Sequence, residues 1–196
     1  MAGTIKLDGT TFLTKSGSTF TQTNTTLGSD VVFPAGHILQ VQYVQKTDTF
    51  STQSGTLTPI TGFNVNITPS SASSKILITA HVTISSSYFI THCGLFRDST
   101  EIGLADNASD RPRTFLETAI DDANKSDGEV THRSNSFLDS PNTTSQVNYG
   151  LRMARRFDDS GQTAYLNRSV TDRSQGSPVT YDSRYMSTMY VMEIAQ

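Results

Sequence analysis

Cysteine is nearly absent from this chain. Cys93 stands alone among 196 residues, so no disulfide can form within it. Tryptophan is missing, and charged residues make up only 17% with a net charge of −3. A chain so close to balance lacks the basic excess by which dedicated nucleic-acid binders hold phosphate. No apolar run approaches the length of a membrane span, which excludes helical insertion into a bilayer. The opening MAGTIKLDGTTF has no apolar core of a secretory leader, so we expect synthesis and folding in a cytoplasm.

Catalytic signatures are missing too. There is no Gly-rich phosphate loop, no G-x-S-x-G elbow and no H-E-x-x-H pair. DDANKSDGEV sets Asp122, Asn124 and Ser126 at alternate positions, as a calcium loop does. Its glycine, Gly128, comes one place late, and Arg133 stands where a bidentate Glu is needed. His92 and Cys93 are neighbours, so in a strand they point to opposite faces and cannot share a metal. Asp121, Asp122, Asp158 and Asp159 lie in turn sequences and read as exposed loop residues with a binding role at most. We expect no enzyme, no metal and no cofactor.

What the chain has is hydroxyl. Ser and Thr make up about 28% of it, a composition suited to half-buried pleated surfaces and polar turns. FNVNITPSSASSKILITAHVTISSS shows the pattern: Phe63, Val65 and Ile67 alternate with polar residues, then Ile76, Ile78, Ala80, Val82 and Ile84 do the same. Period two predicts strands, and the Ser/Pro knot between the runs predicts a turn. Six Asn-x-Ser/Thr triplets follow from the same composition.

Similar runs recur from HILQVQYVQ to RYMSTMYVMEIA, parted by TPSSASS, RDST, DSPNTT, DDSGQ and SQGSP. They predict eight to ten strands in an all-β, antiparallel sandwich or barrel over residues 37–196. Only RTFLETAIDDANK has spacing for a helical turn or two. Residues 1–36 hold small apolar islands, Ile5 and Leu7, Phe12 and Leu13, and Val31 to Phe33, in a Gly/Ser/Thr background. Such a segment cannot fold alone and reads as an extended N-terminal arm that docks elsewhere.

The last strand is apolar on both faces. Tyr185, Met189 and Val191 point one way, while Met186, Tyr190, Met192 and Ile194 point the other. One face meets the core, and the other predicts an oligomer. The candidates for that interface are Tyr185, Met189, Val191 and the basic cluster Arg152, Arg155 and Arg156, whose guanidinium forks suit ion pairs.

Several blocks carry a resemblance: FPAGHILQVQ (33–42), NITPSSASSKILI (66–78), LFRDSTEIG (95–103), SFLDSPNTTSQVNYGLRM (136–153), AYLNRS (164–169) and MEIA (192–195). Together they resemble a family of β-structured virion proteins of tailed phages from marine and freshwater bacteria. The resemblance implies a jelly-roll-like sandwich and a non-enzymatic structural role as a homotrimeric knob on the virion exterior, assembled in the host cytoplasm. Ile5, Leu7, Phe12 and Leu13 would dock the arm onto other tail or capsid proteins. Proteins of this kind are tail-fibre-like or structural proteins of unassigned place, which implies a tail fibre or appendage for host attachment; capsid decoration is the alternative. Partners beyond the virion would be host surface glycan or an outer-membrane protein, met through loops 105–113, 121–134 and 170–184. No nucleic acid and no membrane insertion is implied.

Overall fold

A computed structural model describes residues 3–7, 10–16, 18–22, 33–87, 90–119, 130–155, 161–172 and 182–196. The chain forms two compact units, Met1–Pro34 and Ala35–Gln196. In the first, β1 (Gly3–Leu7), β2 (Thr10–Ser16) and β3 (Thr19–Gln22) pair antiparallel in the order β1-β2-β3. The two outer strands each pair with β2 through backbone amides and carbonyls.

The second unit is built from β4 (Ile38–Lys46), β5 (Phe50–Thr52), β6 (Thr58–Ile67), β7 (Lys75–Ser86), β8 (Ile90–Arg97) and β9 (Thr100–Ile102). It continues with β10 (Leu116–Ala119), β11 (Thr131–Asp139), β12 (Val147–Arg155), β13 (Ala164–Leu166) and β14 (Ser187–Ile194). All pair antiparallel. Among the long strands, β4-β14-β7-β11 form one sheet and β6-β12-β8-β10 the other. Except from β8 to β10, each long strand hands the chain to the opposite sheet, and the first and last strands lie side by side. That path is a jelly roll.

The core lies between the sheets because period-two alternation sends every second side chain inward. Ile76, Ile78, Ala80, Val82 and Ile84 all lie inward and are buried, as the alternation predicts. Phe63, Val65 and Ile67 oppose them from β6, with Cys93 and Leu95 from β8 and Tyr149, Leu151 and Met153 from β12. Each fully buried side chain of this size contributes about 1.5–3 kcal/mol. RTFLETAIDDANK forms no helix in its described part: Leu116–Ala119 is strand β10, paired with Ile90–Cys93. Burial of Leu116 and Thr118, two residues apart, outweighs local helical spacing.

The serine turn between β6 and β7 is held by a buried acid. Glu193, on the inward face of β14, accepts from Ser70 N (2.7 Å), Ser70 Oγ (2.6 Å), Ser74 Oγ (2.7 Å) and Gln40 Nε2 (2.6 Å). Burial by itself pushes its carboxyl up, but these donors together hold it below the ordinary value. Asp139 accepts from Arg97 Nη1 (2.9 Å) and from Tyr149 Oη (2.6 Å); burial and that carboxylate push the ionisation of Tyr149 far up.

Candidate functional site

The outward face of β4-β14-β7-β11 is the surface that the fold leaves unexplained. Strand pairing aligns Val41, Met192, Leu77 and Leu138 in one row across all four strands. The next row is Tyr43, Tyr190, Thr79 and Ser136. Tyr43 is 67% exposed, Leu138 54% and Val41 49%. The two tyrosines stack with ring centroids 6.1 Å apart, and Thr79 and Ser136 share a hydroxyl bond of 2.9 Å. Neither row holds a charge. Single exposed apolar residues are ordinary, whereas a contiguous uncharged patch marks an interface.

The inversion on β4 explains how this face arises. Gln40 and Lys46 turn inward, Gln40 to Glu193 and Lys46 to Thr61 O (2.8 Å) and Asp48 (2.9 Å), so Val41 and Tyr43 are left outside. Polar groups inside are tolerated here because each finds a partner.

Of the expected interface residues, Met189 and Val191 are fully buried in the chain's own core. They correct the sequence reading, since a side chain already enclosed has no area to offer a neighbour. Tyr185 is partly buried, edge-on to His132 with centroids 5.5 Å apart. Arg152 lies over Phe96, 3.8 Å from the ring centre, and Arg155 Nε donates to Gln53 O at 2.6 Å. Both arginines are thus engaged within the chain, and Arg156 lies outside the described residues. Val41, Tyr43, Leu77 and Leu138 were missed. The signal for them was the pairing register, which a single strand's alternation does not contain.

In the N-terminal unit, Ile5 and Leu7 lie on β1, and Phe12 and Leu13 on β2, with Leu13 paired to Ile5. Asp121, Asp122, Asp158 and Asp159 lie outside the described residues, as do 121–129 and 173–181 of the expected binding loops. Residues 105–113 are exposed throughout.

Groups capable of chemistry are dispersed. His92 Nδ1 lies 3.1 Å from Glu117 Oε2 on the outward face of the β8 sheet. Its neighbour Cys93 points into the core, where burial pushes the thiol up to about 12, the opposite of an activated nucleophile. Among the described residues no three His, Cys, Asp or Glu side chains come within reach of one ion. His81 and His132 line a shallow cavity of about 170 Å³ with Thr83, Arg133 and Met186.

No family model and no curated protein matches the chain. Among solved structures it is similar to an infectious bursal disease virus VP2 subviral particle, at 11% identity and a TM-score of 0.36. That match covers 94% of this chain and 47% of the other. T=1 particles derived from infectious bursal virus match at 10% identity and a TM-score of 0.38, over 94% of this chain and 46% of that one. The Gx strain of infectious bursal disease virus gives 12% identity and a TM-score of 0.36, over 97% and 48%. The chain spans about half the length of each.

Proposed function

We propose that this chain is a non-enzymatic structural protein of a tailed-phage virion, a homotrimeric β knob carried on the particle's exterior and docked through its N-terminal unit. The observation that carries this reading is the uncharged apolar ladder from Val41 to Leu138 on an otherwise hydroxyl-rich jelly roll. The whole sheet face, four strands about 4.8 Å apart and about nine residues long, presents roughly 600 Å², with the ladder at its centre. Stable contacts bury about 800 Å² per partner, the same order. A rigid sheet protein without disulfides also suits assembly in a reducing cytoplasm followed by exposure outside the cell.

Within the virion, the role is that of a tail fibre or appendage engaging the host surface. The blocks from 33 to 195 resemble tail-fibre-like proteins in fold, and capsid decoration is the second reading. Quantitative mass spectrometry of purified particles tests both levels. A few to a few dozen copies per particle support the appendage, whereas hundreds assign the chain to decoration of the head. Abundance in infected cells with absence from particles would overturn the virion reading altogether.

A further inference from the structure

We propose that the outward face of the β6-β12-β8 sheet carries a subsite for one neutral hexopyranose ring. The site is a cleft of about 150 Å³ lined by Pro59, Asn64, Phe96, Asp98, Asn148 and Arg152 above Gly150. Gly150 is its floor. It sits in mid-strand on β12, paired with Asn64 on one side and Phe96 on the other. A glycine inside a strand weakens it and commonly marks a place where a ligand comes close to the backbone. A Cβ at Gly150 would lie 3.2 Å from Asn64 Cβ and 3.8 Å from Asn148 Oδ1, closing the cleft. Pairing of β12 with β6 also slips between Gly150 and Arg152, opposite Gly62 at a φ of +70°. Irregularities of this kind re-aim side chains and gather beside functional sites.

The polar groups around this floor are fixed, yet among the described residues each keeps a free valence. Asp98 Oδ1 accepts from Asn148 N (3.0 Å) and Asp98 N donates to Asn148 O (2.7 Å), so Oδ2 is left over. Asn148 Nδ2 donates to Asn66 Oδ1 (2.7 Å) and Asn64 Oδ1 (3.3 Å), leaving Asn148 Oδ1 and Asn64 Nδ2 unused. Arg152 donates through Nη2 to Asp98 O (3.3 Å) and rests on Phe96, which leaves Nη1. The cleft thus offers two acceptors and two donors beside an apolar wall of Pro59 and Phe96. Sugar hydroxyls both donate and accept, and the ring's C–H face is apolar. Arg152 faces both Asp98 and Glu101 of β9, so it carries no surplus positive charge to draw an acidic sugar, which favours a neutral ring. A cleft of this size suits a single residue, the terminal or branching unit of a surface glycan.

This assignment deepens the attachment reading and takes its biological setting from it. Its test is separate. The full chain, labelled with ¹⁵N, is titrated with the methyl glycosides of galactose, glucose, mannose and N-acetylglucosamine, and with galacturonate. At least one neutral glycoside should shift the amides of Asn64, Phe96, Asn148 and Gly150 in a saturable way, with a Kd on the order of 1 mM. Asp98→Asn and Asn64→Ala, with the rest of the spectrum unchanged, should each weaken binding tenfold or more. No saturable shift with any neutral glycoside, unaltered binding by both variants, or tighter binding of galacturonate would overturn the subsite. Such failure leaves the virion reading in place, because particle composition decides that one. Sugar binding by a chain absent from particles would overturn the virion reading and leave the subsite.

Discussion

Glu193 has no solvent contact, yet four donors keep it ionised. Its folded carboxyl lies below the ordinary 4.5. The stability it contributes is present above that unfolded value and drains away as the pH falls through the folded one. Glu193→Gln keeps the shape but sets an NH₂ against donors. At pH 7 it should cost about 2–3 kcal/mol, a fall in melting temperature of roughly 4–12 °C for a chain of this size. At a pH well below 4.5 the variant and the parent should converge. Equal loss at both pH values would mean that packing, not charge, is what Glu193 supplies. None of this was legible from the sequence. Glu193 stands in an apolar run, and its donors lie about 120 to 150 residues away along the chain.

At the scale of the strand, β14 separates two roles by parity. Met189→Ala empties core volume and should cost about 2–5 kcal/mol in unfolding by denaturant. Met192→Glu, on the outward face, should leave the unfolding of a single chain within about 0.5 kcal/mol while abolishing association. If Met192→Glu destabilises as much as Met189→Ala, the outward face is core and the interface is elsewhere. The alternation of β7 was plain in the sequence because both ends of the strand obey one period and its inner residues are all aliphatic. On β14 both faces are apolar, so the period gave the strand without saying which face meets the core. On β4, Gln40 lies inside because Glu193 and Thr68 O give it partners. β10 was obscured by helical spacing that its pairing with β8 overrides. The sheet-face cleft was invisible for the same reason as the ladder: Asn64, Gly150 and Phe96 are brought together only by register.

For the molecule as a whole, the two compact units predict two separable tasks. Deleting residues 2–30 should change the melting temperature of the jelly roll by less than about 2 °C, since the two units are separately compact and the described core residues of the second run from Ile60 to Val191. The same deletion should remove the protein from particles in a complementation assay. Unfolding of the truncated chain would show that the N-terminal strands are part of the domain. The central claim is that the uncharged face joins copies of this chain, and light scattering on the full chain at about 10 μM tests it most directly. We expect a mass three times the 21.4 kDa of one chain, falling to that of one chain in Met192→Glu. A parent chain that stays monomeric at that concentration, or a trimer indifferent to Met192→Glu, would contradict the account.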